Sequence, residues 1–304
     1  MAKSTATMAL SHLLPLLLLV LPIIWGLLGY LKTRKGPKHS LEKTGSSWPL
    51  VINSAVLYAL AFNLIFFIQE LFLALGKKWL GLKAYLYHNN HNWEGENPME
   101  GLAQGYGAVA IFITGVACLL TARRIKFSTH WIQLFFLWMA FQGLAQSLPQ
   151  FITAAMAPDT DTGQAYTYLG IIDKVGLLIT MAGIVLMLLT GVAYSQYLLQ
   201  LAPSNNYIAT AANRFNYLFR IAVAASVIGI MFIIPFRIMP WSRATAPVFV
   251  TLLSVPMVFA HAWKAKAGYT INSDVNRKIF LWPVIFLVIL LLIFQLILSK
   301  GVEM

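Results

Sequence analysis

The chain holds a single cysteine, Cys118, set within an apolar run. Neither a disulfide framework nor a thiolate metal cluster can be built from it. Charge is also scarce, with 11% of the 304 residues being Asp, Glu, Lys or Arg, against roughly a quarter in soluble domains. No H-E-x-x-H helix, G-x-S-x-G elbow or G-x-x-x-x-G-K-[ST] loop occurs. Zincin-type proteolysis, α/β-hydrolase chemistry and ATP-driven work by this chain alone are thereby disfavoured.

What is abundant is hydrocarbon: 59% of residues are apolar and mean hydropathy is +0.72. Apolar runs of about twenty residues, enough to cross roughly 30 Å of hydrocarbon, recur along the chain and leave no room for a separate soluble domain. They fall at about 9–31, 50–75, 104–122, 130–155, 170–199, 215–236, 244–263 and 279–299. The expected fold is all-α, a polytopic bundle of about eight transmembrane helices forming a single domain over 1–304.

The first run is followed by "KTRKGPKH", the reverse of the charge order of a cleaved leader, so it reads as a retained helix. Alternating from an outer N-terminus places Lys32, Arg34, Lys35, Lys38 and Lys43 inside, together with Arg123, Arg124, Lys126, Arg214, Lys264, Lys266, Arg277 and Lys278. The positive-inside rule favours that orientation, with both termini extracytoplasmic in a plasma or inner membrane. The net charge of +12 is then a topology signal. Nucleic acid is not an expected partner, because no basic, aromatic-interleaved soluble surface exists to hold it.

One polar island interrupts the hydrocarbon. The stretch "YLYHNNHNWEGENP", Tyr85 to Pro98, lies in a loop at about 76–103 that the topology puts outside. His88 and His91 are spaced to meet on one helical face or in a turn, and neutral imidazole is a common ligand for zinc and other transition metals. Glu94 and Glu96 follow them, and Glu70 closes the second span near the same side. A catalytic zinc site needs three nitrogen or oxygen ligands and an open position for water. The expectation is Zn²⁺ or another divalent metal on His88 and His91, with Glu70 or Glu94 completing the shell or acting as general base. The alternative is a hydrogen-bonded surface loop, with Glu70 an interfacial carboxylate paired to Lys77 or Lys78.

A substrate cavity could extend from this face. Gln142, Gln146 and Gln150 recur every four residues as a polar stripe, and Asn63 precedes Glu70 by two helical turns. Asp173 and Arg237 fall toward the same side. Such groups face neighbouring helices or water, not lipid. His130 and His261, near the inner ends of their spans, form a weaker pattern that a b-type haem would need.

Three functions follow from these residues. The leading one is a metal-dependent hydrolase or transferase embedded in the lipid bilayer, acting on a lipid or extracytoplasmic substrate. The second is a structural or assembly subunit whose long polar loop docks a membrane-protein partner. The third is a secondary transporter or channel for a cation or proton, with Glu70 as the titrating group.

Overall fold

The computed structural model describes residues 20, 24–32, 48–125, 129–172, 174–237, 241–262 and 278–304. Five helical segments among them are long and apolar enough to cross a membrane: Trp48–Trp79, Glu100–Arg124, Val175–Gln200, Ala211–Phe236 and Leu281–Leu298. The expected eight are met in part, for reasons that differ from run to run. The first run lies largely outside the described residues, and Thr245–Val258 is apolar but short.

His130–Thr153 is long enough, yet glutamines dilute its hydrocarbon. That dilution is tolerated because the helix is central: every residue from Leu137 to Leu148 is buried, so no face needs to be lipid-compatible.

The chain order sets the site. Helix α1 (Trp48–Trp79) begins with Pro49 in its first turn, where a missing N–H is harmless, and runs on Leu, Ala and Phe. It stops at Gly81, whose φ of +78° only glycine adopts readily, while the N–H of Leu82 reaches back to the Lys77 carbonyl at 3.1 Å. A hairpin follows, β1 (Lys83–Leu86) and β2 (His91–Glu94), then a short α2 (Glu100–Ala103) leading into α3 (Tyr106–Arg124). Next come α4 (His130–Thr153), α5 (Asp161–Leu169), α6 (Lys174–Gln200) and α7 (Ala211–Leu218). A π-helical stretch, Phe219–Ala224, joins α7 to α8 (Ala225–Ile230). The chain continues through α9 (Trp241–Ser254), α10 (Phe259–Ala262) and α11 (Leu281–Ile293), a second π turn at Phe294–Leu298, and β3 (Val302–Glu303).

Helices α1 and α4 form the centre. Trp138 stands edge-on to Tyr58 at 5.0 Å and packs on Tyr194 of α6 at 5.6 Å. Its indole N–H donates to Ser54 Oγ at 2.9 Å, and Ser54 in turn donates to the Ile221 carbonyl inside the first π stretch. The crossing of α3 and α4 is set by Gly115 and Gly143, whose backbones touch directly; a Cβ on Gly143 would sit 2.6 Å from the Gly115 Cα. Outer faces are apolar, as with Leu177, Leu178, Met181 and Val185 on α6 and Leu281, Trp282, Phe286 and Ile289 on α11. That is the reverse of a soluble helix and fits a lipid environment.

The expected polar loop is more ordered than a loop. α1 persists through Lys77 and Lys78, and the island folds as a three-stranded antiparallel sheet of order β2-β1-β3. Leu86 pairs with His91 and Tyr85 with Glu303, so the C-terminal strand joins the hairpin at one end of the bundle.

Candidate functional site

The hairpin positions the chemistry. Leu82, just before β1, and Ala84 and Leu86 within it alternate inward and close the end of the bundle, which fixes where the turn and β2 must lie. His91 opens β2 and reaches the end of α1. Its Nδ1 is 2.8 Å from Glu70 Oε2, and its Nε2 is 3.2 Å from Gln104 Oε1. Both partners are withdrawn from water, with side-chain exposures of 9% for His91 and 6% for Glu70. Trp93 lies parallel to the imidazole at 5.8 Å, and the Lys77 ammonium sits 4.0 Å over the Trp93 ring while donating to the Glu100 carbonyl. Burial alone would push the His91 pKa down. The hydrogen bond and charge of Glu70, assisted by Asp161, outweigh it and raise the value above that of a free histidine.

His88 takes another direction. It sits in the turn, and its Nε2–H donates to the Phe236 carbonyl at 2.9 Å while its ring stacks on Phe294 at 5.2 Å. Gln295 donates to the same carbonyl at 3.3 Å. Burial lowers the His88 pKa, and the charge of Arg237 adds to that despite the Phe236 bond. The imidazole is therefore neutral near pH 7, with Nδ1 left as a buried acceptor that has no hydrogen-bond partner among the described residues.

Arg237 follows Phe236 directly. Its guanidinium lies over the rings of Phe62 and Phe66, at 4.8 and 4.3 Å, which sit two turns and one turn before Glu70 on α1. The residue is 7% exposed, and its Nε and Nη2 have no hydrogen-bond partner among the described residues. Burial draws its pKa down to about 9, with the negative charge of Glu70 opposing, so it stays charged at neutral pH. Two ring contacts supply about 0.5–2 kcal/mol each. Taking a cation out of water costs several kcal/mol, so the rings do not balance the account.

The glutamine stripe connects with this end. Gln150 Nε2 donates to Gln69 Oε1 at 2.9 Å and to the Gln146 carbonyl at 3.0 Å, and Gln146 Nε2 donates to Gln142 Oε1 at 3.1 Å. Thr162 of α5 donates to Gln150 Oε1 at 3.4 Å. The Gln142 side chain bears on the Tyr58 hydroxyl, which shares a 3.2 Å bond with Thr251. A buried polar track thus runs from the residue beside Glu70 toward the middle of the bundle. Gln142 Nε2, Gln146 Oε1 and the hydroxyl of Tyr194, which packs on Phe141, lack protein partners among the described residues.

No protein-family model, curated protein or solved structure matches this chain. Its chemistry is carried by the geometry alone.

That geometry sorts the expected residues. It joins Glu70 to His91 and Gln150 to Gln69, and brings Arg237 within electrostatic reach of both Glu70 and His88. It separates His88 from His91, because a hairpin turn aims the two rings at different helices where a helical H-x2-H would align them. Glu94 faces solvent, bonded to Tyr85 at 3.1 Å and 3.8 Å from Lys83. Asn63 is buried and donates to its own helix at the Ala59 carbonyl, 2.9 Å away. Glu70 pairs with His91 in place of Lys77 or Lys78, and Lys77 is fully buried in holding α2.

Asp173 and the side chain of His261 lie outside the described residues, so neither the cavity wall nor the haem pair is described. Among the described residues no three His, Cys, Asp or Glu side chains gather as a metal would require. Gln104 is the residue missed from sequence. Gln69 carried a signal as a polar group beside Glu70 in an apolar helix, and Lys77 is placed near Glu70 by the sequence but has a different partner.

Proposed function

We propose that the chain is an integral membrane protein whose Glu70–His91 pair binds and releases a proton, and that it works as a secondary transporter with this pair as the titrating centre. One observation carries the reading. Gln104 presents its carbonyl oxygen to His91 Nε2, and an amide oxygen only accepts, so Nε2 carries a hydrogen. The 2.8 Å contact between Nδ1 and Glu70 Oε2 then requires one further proton, held either as imidazolium with carboxylate or as imidazole with carboxylic acid. A single shared proton, buried in the last third of a membrane-length helix and close to a buried polar track, is what a proton-coupled carrier needs.

The metal-dependent reading has less support. A carboxylate on one ring nitrogen is the usual second-shell arrangement of a metal-bound histidine, but here Nε2 is taken by Gln104 and His88 is directed elsewhere.

The test is flux. In liposomes carrying an entrapped pH indicator, the wild-type protein should collapse an imposed pH gradient faster than empty vesicles. Glu70→Gln and His91→Gln should each slow it by about tenfold or more, since each removes one of the two groups that hold the proton. Wild-type flux no greater than that of empty vesicles, or flux that survives Glu70→Gln, would defeat the proposal.

A further inference from the structure

Lys77 is the most deeply buried charged side chain among the described residues, and the proton pair does not use it. Lysine is almost never fully buried unless it is paired, yet no salt bridge reaches Lys77 among the described residues. The charges of Glu100 and Asp161 bear on it from α2 and α5 without closing to contact. Its ammonium instead donates to the Glu100 carbonyl at 2.7 Å and lies 4.0 Å from the centre of the Trp93 ring.

Both contacts lead to His91. Lys77 follows Glu70 by two turns of α1, so the two share a helix face. Trp93 follows His91 by two residues in β2, so they share a strand face, with their rings inclined by only 12°. Helix α1 and strand β2 therefore meet at two points, Glu70 with His91 and Lys77 with Trp93. One contact would let the strand pivot; two fix its register, and a slip of one residue would turn His91 away from Glu70. The second route runs through α2. The Glu100 carbonyl that accepts from Lys77 also accepts, at 3.3 Å, the backbone N–H of Gln104, whose side chain holds His91 Nε2.

We infer that Lys77 is a positioning residue for the proton pair: its ammonium fixes both neighbours of His91, Trp93 through the ring face and Gln104 through the Glu100 carbonyl, and so holds the imidazole on Glu70. An ammonium suits the task because it is a compact charge on a flexible stem, able to donate to a carbonyl and lie over an aromatic face at once. The inference deepens the proton reading and rests on the pairing of Glu70 with His91.

Nuclear magnetic resonance of full-length protein labelled with ¹⁵N-histidine in nanodiscs tests it. Wild type should show slowly exchanging imidazole N–H signals from His91 and from His88, assigned by their loss in His91→Gln and His88→Gln. Lys77→Met keeps the stem and removes the charge; Trp93→Ala removes the ring. Each should speed exchange of the His91 N–H by about tenfold or more, while the His88 N–H, held by the Phe236 carbonyl in the same hairpin, keeps its wild-type rate. Trp93→Phe retains a ring under the ammonium and should restore most of the protection. Lys78→Met, at an exposed position one residue along, should leave both signals unchanged.

A His91 N–H as protected in Lys77→Met as in wild type overturns the role. So does loss of the His88 and His91 signals together, which would make Lys77 a prop of the whole hairpin, and so does a wild type in which His91 shows no protected N–H. Should Lys77→Met fail to fold, an unchanged His91 signal in Trp93→Ala overturns it instead. Flux separates this from the transport reading. A His91 signal lost selectively in Lys77→Met, in a protein that moves no protons, keeps the positioning role and defeats transport; proton flux with an unchanged His91 signal in that variant does the reverse.

Discussion

Replacing Gly143 by leucine is expected to prevent assembly of the bundle, and replacement by alanine should already lower its stability by about 1–3 kcal/mol, the usual range for overpacking. The reason is the nature of the atoms met. A Cβ at this position would lie 2.6 Å from Gly115 Cα, 2.7 Å from the Ile111 carbonyl oxygen and 2.8 Å from Gly115 N, all of them backbone. Carbon atoms rest at about 3.5–4.0 Å, so α3 and α4 would have to part by roughly 1 Å. Side chains turn aside cheaply, but a helix axis moves with everything packed on it. Here that includes Leu144, Leu148 and Ile152, which pack with Ile184 and Met187 of α6. Close helix approach through small residues is also the main adhesive between membrane helices, where hydrocarbon is no more apolar than the lipid it displaces.

Gly101→Ala is the control. It too is helical, yet its nearest neighbours would stand at 3.5 and 3.6 Å, ordinary contact distances. Thermal unfolding in detergent, followed by loss of the monodisperse peak, measures both. Equal stability of Gly143→Ala and wild type would mean that the helices do not cross as described.

Much of the helical framework was legible because apolar runs and helices obey the same length rule. The runs expected at 104–122, 130–155 and 279–299 end within a few residues of Tyr106–Arg124, His130–Thr153 and Leu281–Leu298. The polar island was legible as a place and not as a shape. Leu82, Ala84 and Leu86 alternate with Lys83 and Tyr85 between Gly81 and an Asn-Asn turn, which is a strand signal of period two. The histidine spacing, read as a helical face or a turn, did not separate the two.

Partners across the bundle were not legible at all. Nothing local to Gln104 marks it as the group that fixes the His91 tautomer, and nothing about Arg237 distinguishes a buried cation from an interfacial anchor. Those facts arise from how α1, the hairpin and the second π turn meet. Lys77 gives the same lesson in reverse, since its position just before the helix end reads as a wet anchor and its ammonium is instead sealed under Trp93.

Glu70→Ala should be the costliest single change at the site, and its cost should depend on pH in a direction that identifies the pair. Removing one member of a buried ion pair costs about 3–5 kcal/mol, mostly because the survivor stays buried and uncompensated. His91 can shed its proton and relieve part of that, so the loss should be larger at pH 5.5 than at pH 8.5. In the wild type His91 has a raised pKa, and its stabilising contribution is therefore complete below the ordinary histidine value of about 6.5 and fades as pH rises through the folded value. His88 has a lowered pKa and acts oppositely, since stability falls as pH drops below about 6.5, where the unfolded chain takes a proton that the buried ring refuses.

Wild-type unfolding temperature should accordingly pass through a maximum near the ordinary histidine range. His91→Gln should flatten the alkaline limb alone and His88→Gln the acid limb alone. Glu70→Ala should erase the alkaline limb as His91→Gln does, because without the carboxylate burial alone governs the imidazole and drives its pKa down. A Glu70→Ala profile parallel to the wild type across both limbs would show that the carboxylate and the imidazole do not share a proton.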